Sequence, residues 1–326
     1  MKIRQARKSA GVFSLAILLA ACLFAGPATA ADWPQRTITL IQPFGAGGVT
    51  DRIGRVLAEF LSQELGVPVI VEARPGAGGA LGSSQVARAL PDGYTLLVSG
   101  LASQVTSPLV TPNANLDTFR DFTHIAYLGG PPIVWAVTPS TDMKSVADVV
   151  AAVKGGTVTS YASPGVGTLG NLAAELVILK AGIDINHIPY NNQTLADVIS
   201  GRVLLASTAW ATALGHIQGK TLRAVGVTSE ARLKAAPDVP TFREQGHDVA
   251  AATWASLSGP AGLPPEIVNR LNALVAKFLQ RPELLKPLEQ DILEIKIMTP
   301  EQITAHFRTE VVTWTPVVAN FLSKRK

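Results

Sequence analysis

Apolar and amphipathic stretches alternate along this sequence, a pattern that predicts strands followed by helices. Residues 37–41 are β-branched or aliphatic and predict a buried strand, and residues 52–65 have the amphipathic pattern of a helix. The alternation starts again at 133–137, which predicts a second α/β unit with mostly parallel strands. The last part of the chain is predicted to hold three helices, each with a proline near its first turn: 264–279, 282–290 and 300–322.

The chain is expected to cross between two lobes twice, near residues 129–132 and again near 250–258. The sequence therefore predicts a first lobe that consists of residues 31–131 plus 253–326, and a second lobe that consists of residues 132–252. The C-terminal helices would pack back on the first lobe. Two lobes that are joined by two strands form a hinge with a cleft between them.

A glycine-rich turn follows the first predicted strand. The sequence PFGAGGVTD at 43–51 contains three glycines, which let the backbone turn tightly and approach a ligand. Thr50 and Asp51 are good N-cap residues, so the next helix is predicted to open there. A helix N-terminus carries unpaired N–H groups and the positive end of the helix dipole, and both favour an anion.

The second predicted lobe has its own version of this turn. The sequence SYASPGVGT at 160–168 follows a strand and precedes a helix, with hydroxyl groups on Ser163 and Thr168. Two helix N-termini that face one cleft suit an anion with two separated oxygen clusters, such as a dicarboxylate. The alternative is that each sequence is only a tight turn between a strand and a helix.

The first thirty residues predict a signal peptide. Four basic residues precede the apolar run 11–24, and the small residues at 28–30 offer a cleavage site. We expect cleavage after Ala30 and a periplasmic mature protein. Lipoprotein processing at Cys22, the only cysteine, and a retained anchor helix are the alternatives.

Without this leader the charge of the chain is balanced. Four of its 28 basic residues lie in the leader, and the remaining 24 match the 24 acidic residues in number. The formal net charge of +4 therefore does not indicate a nucleic-acid partner.

No group of residues predicts catalysis, a metal or a cofactor. The first glycine-rich turn imitates a dinucleotide-binding sequence, but Thr50 stands at the third glycine position and Asp51 would repel a pyrophosphate. A Gly-x-Ser-x-Gly nucleophile turn is absent from the sequence. The histidines lack the spacing of a metal site: His124, His187, His216, His247 and His306.

Several segments together resemble one protein family: PFGAGGVTD, YASPGVGT, AGIDINHIPY and LRAVGVTSEAR. The sequence is similar to the Bug-type periplasmic substrate-binding proteins of the tripartite tricarboxylate transporter family. The similarity covers essentially the whole chain after the leader. It implies a type II periplasmic-binding-protein fold, in which two α/β lobes close on a ligand in the cleft between them.

The resemblance implies a receptor and not an enzyme. Such a receptor captures an organic carboxylate, here a di- or tricarboxylate or an aromatic acid, by cleft closure and without a cofactor. It delivers the ligand to the membrane permease subunits of a tripartite transporter, and we expect a monomer. The alternatives are a ligand-sensing partner of a membrane signalling protein and, less well supported, an exported enzyme on the same fold.

The resemblance also implies the ligand contacts, which come from the two glycine-rich turns and from a later strand. Thr208 stands where an acid often sits in the members that bind amino acids, which argues against an amino-acid ligand. Asn171 replaces a histidine that is usual in the family. The implied contact residues are Phe44, Gly45, Ala46, Gly47, Gly48, Val49, Thr50, Ser163, Gly165, Val166, Gly167, Thr168, Thr208 and Trp210.

Two tryptophans near the predicted hinge and cleft suggest a further hypothesis. Trp135 or Trp210 would line the pocket and favour a flat or aromatic acid, because indole stacks well on planar rings. The alternative is a tryptophan that packs in the interior of a lobe or at the seam between the lobes.

Overall fold

A computed structural model describes the protein at residues 33–110, 115–190, 195–293 and 295–323. The predicted leader, with both candidate processing sites, lies outside the described residues. All of the described strands and helices belong to the unit that begins at Arg36. Within the described part of the chain, no helix combines the length and the apolar character that are needed to cross a membrane.

Ten strands in the described residues form two sheets of five strands each. The strands are β1 Ile38–Gln42, β2 Val69–Ala73, β3 Thr95–Gly100, β4 Phe122–Gly129, β5 Ile133–Val137, β6 Ser160–Ser163, β7 Asn186–Pro189, β8 Leu205–Ala209, β9 Arg223–Val227 and β10 Ala255–Pro260. The first sheet has the order β2-β1-β3-β10-β4, and the second has the order β7-β6-β8-β5-β9. We call each sheet with the helices that cover it a lobe.

Helices cover both sheets. The helices are α1 Val49–Leu65, α2 Ala80–Ala87, α3 Ser107–Val110, α4 Val146–Lys154, α5 Leu169–Ala181, α6 Ala196–Ile199, α7 Trp210–Gln218, α8 Pro265–Leu279, α9 Pro282–Leu285 and α10 Pro300–Ser323. A π-helical turn, Ala102–Thr106, leads directly into α3, and short 3-10 turns lie at Ala77–Gly79 and Lys286–Leu288. The alternation of strands and helices that the sequence predicts is thus present in both lobes.

The strands are mostly parallel, as expected, but each sheet is mixed because one of its five strands runs against the other four. Strand β10 runs antiparallel to both of its neighbours, and so does β5 in the second sheet. Each of these strands begins where the chain arrives from the other lobe. It therefore enters its sheet at the edge where the parallel strands end, and it has to run against them. The predicted alternation shows the strands but not these two reversals.

Helix α1 begins earlier than the sequence predicts. Its N-cap is Gly48, without a side-chain cap, and Thr50 and Asp51 lie inside the first turn. The Asp51 carboxylate instead accepts a hydrogen bond from the N–H of Gly47, at 2.9 Å, and so holds the turn before the helix. The helix ends at Gly66, whose φ of 71° is in the left-handed region that glycine adopts readily.

Helix α5 in the second lobe follows its prediction more closely. Thr168 is the N-cap and accepts a hydrogen bond from the N–H of Asn171, and Gly182 ends the helix with a φ of 59°.

The helix that the sequence predicts at 282–290 is shorter in the structure. Only Pro282–Leu285 is α-helical, and a 3-10 turn follows it.

Helix α10 packs against both lobes and not against the first alone. One buried cluster joins Phe307, Trp314 and Val318 of this helix to Trp254 beside β10 and to Leu172 of α5. Burying a large apolar side chain stabilises a fold by about 1.5–3 kcal/mol. The long C-terminal helix therefore holds the first lobe beside the second at the level of α5.

Candidate functional site

Both glycine-rich turns lie at the carboxyl ends of parallel strands. Loop 1, residues 43–48, follows β1 in the first lobe, and loop 2, residues 164–168, follows β6 in the second. Ligands of open α/β sheets bind outside the carboxyl ends of the strands. The two loops also belong to lobes that touch here, because the Thr106 hydroxyl donates to the Gly167 carbonyl at 2.8 Å.

The carbonyl oxygens of loop 1 are bound by side chains. The Gln42 amide donates to the carbonyls of Phe44, at 2.7 Å, and Gly45, at 3.2 Å. The Arg52 guanidinium donates to the carbonyl of Gly47. These oxygens are already engaged, so the loop can offer a ligand the N–H groups of Gly45, Ala46 and Gly48, which have no partner among the described residues. Gly45, Ala46 and Gly47 are exposed.

Asp51 adds a negative charge below loop 1, and two arginines offset it. The carboxylate accepts from Gly47 N–H and pairs with Arg55 at 3.0 Å, and Arg52 is close enough to contribute its charge. Burial by itself would raise the pKa of Asp51, but the hydrogen bonds from Arg55 and Gly47 and the two positive charges outweigh it and lower the pKa. Asp51 is therefore ionised at neutral pH, as part of an ion pair.

Loop 2 is built in the same way from different side chains. Ser163 and Thr168 donate to the Gly165 carbonyl, at 3.2 and 2.7 Å, and Thr106 donates to that of Gly167. The Gly167 N–H is bound by the side chain four residues later, since it donates to Asn171 Oδ1 at 3.0 Å. Gly47 and Asp51 have the same spacing in loop 1.

A buried network holds Asn171 in place. Its Nδ2 donates to the Tyr161 hydroxyl at 2.7 Å, and that hydroxyl donates to Glu175 Oε1, also at 2.7 Å. Asn171 has no solvent exposure. An amide can accept from Gly167 and donate to Tyr161 at once, which explains why an uncharged residue occupies this position.

The N–H groups that remain at the two loops point to an anion. Within the described residues, no hydrogen-bond partner is present for the N–H groups of Gly45, Ala46, Gly48 and Val49 in loop 1 and the start of α1, or for those of Val166, Leu169 and Gly170 in loop 2 and the start of α5. Helices α1 and α5 have 17 and 13 residues, so each presents the positive end of a full dipole.

Apart from Thr208 and Trp210, the residues that the resemblance implies lie in two groups, one at each loop. Phe44, Val49, Thr50 and the glycines lie in or beside loop 1, and Ser163, Val166 and Thr168 lie in or beside loop 2. Phe44 packs near Gly79, and the Thr50 hydroxyl donates to Gln42 Oε1 at 3.3 Å. Ser163 has no solvent exposure, so its hydroxyl contacts loop 2 from the interior of the lobe.

Thr208 lies near the end of β8, Trp210 is the first residue of α7, and both are fully buried. Trp210 belongs to a hydrophobic cluster of the second lobe, and Trp135 packs edge-on against Phe242, with 5.3 Å between ring centroids, in another cluster of that lobe. These positions fit the alternative in which both tryptophans pack in the interior. A ligand contact from Thr208 or Trp210 stays a prediction.

Sequence reasoning missed the side chains that shape the loops, chiefly Gln42 and Thr106. Gln42 could have been found, because a glutamine at the end of an otherwise apolar strand has to bind something once it is buried. Thr106 could not, since it lies 61 residues away from its partner and in the other lobe.

Two cavities lie away from the loops. One of about 1210 Å³ is lined by Tyr127, Trp254, His306 and Glu310, and one of about 450 Å³ is lined by residues near His124. Burial raises the pKa of Glu310 and lowers the pKa of His124 to about 4. Among the described residues, no group of three or more His, Cys, Asp or Glu could hold a metal ion.

Comparison with known proteins identifies the family. Residues 53–321 match the model of a family described as the tripartite tricarboxylate transporter family receptor. This chain belongs to that family. Its members are receptors and not enzymes, which agrees with the absence of a catalytic prediction.

Individual relatives support the same fold along the whole receptor. The chain is 31% identical to protein BugT of Bordetella pertussis over 318 residues, which cover 96% of this chain and 97% of the relative. MatC from Rhodopseudomonas palustris, solved with bound malate, aligns with a TM-score of 0.78 at 26% identity, over 88% of this chain and 100% of that one. Rpa4515 of R. palustris, solved with adipate, aligns with a TM-score of 0.79 at 28% identity, over 88% and 97%. The receptor has the two-lobed fold of periplasmic binding proteins, with a cleft between its α/β lobes.

Proposed function

We propose that this receptor captures an organic carboxylate in the periplasm by cleft closure and delivers it to the membrane permease subunits of a tripartite tricarboxylate transporter. The ligand classes that we propose are di- and tricarboxylates and aromatic acids. Membership of the receptor family supports the role, and the malate and adipate in its structural neighbours support the ligand class.

One observation carries the proposal. In each loop two glycine carbonyls are bound by side chains, while N–H groups at the start of a long helix have no partner among the described residues. Backbone N–H groups and helix dipoles bind carboxylates without a cationic side chain. Two such loops, in lobes that contact each other through Thr106 and Gly167, suit an acid that bridges both lobes.

Thermal shift with a panel of acids tests the ligand class. The panel holds malate, adipate, citrate and benzoate, each beside its amide. A ligand that binds only the folded protein at ~100-fold excess over its Kd adds ~2.7 kcal/mol to the free energy of unfolding. We expect an acid to raise the melting temperature and its amide to have no effect. Equal effects of an acid and its amide, or none from any acid, would contradict the proposal.

A single backbone substitution tests the N–H groups. Val49 is the first residue of α1, and the residue before it has a φ of −76° and a ψ of 171°, a conformation that proline accepts in its predecessor. Val49→Pro therefore removes one N–H with little strain. We expect affinity for the acid found in the screen to fall about 10- to 100-fold, the value of a hydrogen bond to a charged group. Val49→Ala, which keeps the N–H, should bind within about twofold of the unchanged protein.

The remaining sequence expectations are proposals of the same kind. We propose cleavage after Ala30, a first lobe of 31–131 plus 253–326, a second lobe of 132–252, and a monomer. Strands β1 to β4 and β10 in one sheet and β5 to β9 in the other support the two lobe boundaries. Mass spectrometry of the exported protein tests the cleavage site.

A further inference from the structure

Behind loop 2, a histidine contacts one of the residues that shape it. His187 lies in β7, which pairs with β6, and its Nε2 is 2.7 Å from the Ser163 hydroxyl oxygen. The imidazole stacks on Tyr161, with 5.0 Å between centroids, and meets the ring of Phe321 from α10 edge-on at 6.2 Å. The histidine is therefore held in one orientation by elements that meet at loop 2.

The Ser163 hydroxyl contacts both the N–H and the carbonyl of Gly165. It accepts from the Gly165 N–H and lies 3.2 Å from the Gly165 carbonyl, to which it can donate. Gly165 has a φ of 153°, a conformation that side chains rarely adopt, so its peptide groups depend on such contacts for their orientation. If the Gly165 carbonyl turned outward, its partially negative oxygen would face the carboxylate ligand and repel it.

The single hydrogen of the Ser163 hydroxyl determines which protonation of His187 Nε2 suits the loop. A hydroxyl group has one hydrogen and two lone pairs. The Gly165 N–H uses one lone pair of Ser163. If His187 Nε2 lacks a proton, the Ser163 hydrogen goes to the ring, and the Gly165 carbonyl keeps the Thr168 hydroxyl but loses the serine as a donor. If Nε2 carries a proton, it takes the second lone pair, and the hydrogen is free for the carbonyl.

We propose that His187 is a positioning residue that donates from Nε2 to Ser163, and thereby directs the serine hydrogen to the Gly165 carbonyl and keeps loop 2 in its anion-binding form. This role rests on the proposed carboxylate binding and adds the residue that sets the polarity of the second loop. The acid in the same network is Glu175, which binds the hydroxyl of the Tyr161 ring that His187 stacks on.

Nitrogen NMR of His187 tests the proposal without any ligand. Spectra of the protein with labelled histidine, assigned with the help of His187→Gln, report which ring nitrogen carries a proton. We expect a protonated Nε2 from pH 6 to pH 8. An unprotonated Nε2 in the folded protein overturns the proposal, whether or not the protein binds an acid. A protonated Nε2 in a protein that binds none of malate, adipate, citrate and benzoate would support the positioning role and reject the proposed ligand class.

Variants test the consequence for binding, measured by calorimetry with the member of that panel that binds most tightly. Glutamine places an amide donor near the position of Nε2, whereas asparagine is too short to reach it. We expect His187→Asn to lose about three- to tenfold in affinity and His187→Gln to stay within about twofold, since one neutral hydrogen bond is at stake. In a protein that already carries Ser163→Ala, His187→Asn should cause no further loss. Equal losses for Asn and Gln, or a full further loss without the serine, would mean that His187 only fills space.

Discussion

In loop 1 the carbonyls of Gly45 and Gly47 are bound by side chains of the same lobe, whereas in loop 2 the carbonyl of Gly167 is bound by a side chain of the other lobe. Gln42 and Arg52 hold Gly45 and Gly47. Gly167 is held by Thr106, which lies in the π-helical turn of the first lobe. Loop 1 is thus complete within its own lobe, and loop 2 is complete only where the lobes meet.

The second difference is charge. The residue that binds the second glycine N–H is an aspartate in loop 1 and an asparagine in loop 2. Asp51 has a half-exposed arginine beside it, while Asn171 is enclosed between Tyr161 and Gly167. A buried carboxylate stays ionised only where a cation or several hydrogen-bond donors offset the free-energy cost of burying its charge. The same turn therefore uses an acid where arginines are near and an amide where the surroundings are neutral or acidic.

Exchanging the amide for an acid should have the largest effect. Asn171→Asp puts a carboxylate with no solvent exposure beside a tyrosine hydroxyl that already donates to Glu175. We expect the free energy of unfolding, from urea denaturation at pH 7, to fall by about 3 kcal/mol. Burial should raise the folded-state pKa of the new carboxyl above its unfolded value of about 3.9. Its protonated form is then favoured in the fold, so the loss should be small at pH 4 and grow as the pH rises.

Asp51→Asn is the matched change in loop 1. It keeps an acceptor for Gly47 and removes a pair with an arginine that is 57% exposed, so we expect a loss below about 1 kcal/mol at pH 7. The folded pKa of Asp51 lies below its ordinary value of 3.8. Its contribution is present above that value and disappears as the pH falls through the lowered pKa, so variant and unchanged protein should converge in strong acid. Similar losses for the two exchanges at pH 7 would show that the surroundings of the loops do not differ as described.

These residues also show how far the sequence alone could lead. The turns and the helices behind them follow from glycines and N-cap residues that act over a few positions, and the prediction of an anion site rests on the same residues. The helix after loop 2 was predicted, but the helix start at Thr50 and Asp51 was wrong, because the Asp51 side chain turns back to Gly47. Local preference cannot distinguish a capping aspartate from one that binds the turn before the helix.

Contacts between distant parts of the chain were beyond reach for a different reason. No local pattern indicates that Thr106 meets Gly167, or that β5 and β10 reverse direction, because both depend on where the chain crosses between the lobes. The resemblance to a family implied the two lobes and the loop residues that would contact a ligand. It did not imply the side chains that hold the loops, such as Gln42 and Thr106.

A methyl group added to the second glycine of each loop should destabilise the two loops to different extents, and this difference should be smaller than the one between Asn171→Asp and Asp51→Asn. Gly47 and Gly167 have φ angles of 80° and 75°, so alanine is strained at either position by about 1–2 kcal/mol. A Cβ on Gly47 would meet nothing within 4 Å, but one on Gly167 would lie 2.9 Å from a methyl of Val110. In urea denaturation we expect about 1 kcal/mol of destabilisation from Gly47→Ala and about 2 kcal/mol from Gly167→Ala. Val110→Ala should remove most of the excess, and an excess that survives it would argue against the contact with Val110.

The smallest expected effect concerns the bond that completes loop 2. Thr106→Val removes the hydroxyl that binds the Gly167 carbonyl across the lobes, with almost no change in shape. Because this bond exists only where the lobes meet, its loss should disfavour the closed form that we propose for the liganded receptor. We expect the affinity for the acid found in the screen to fall about three- to fivefold, from one neutral hydrogen bond. Thr106→Ser keeps the hydroxyl and should bind like the unchanged protein. X-ray scattering with the acid present should show a larger radius of gyration for Thr106→Val at subsaturating ligand. Unchanged affinity in the valine variant would mean that loop 2 reaches its binding form without the first lobe, and the contrast with loop 1 would then be one of charge alone.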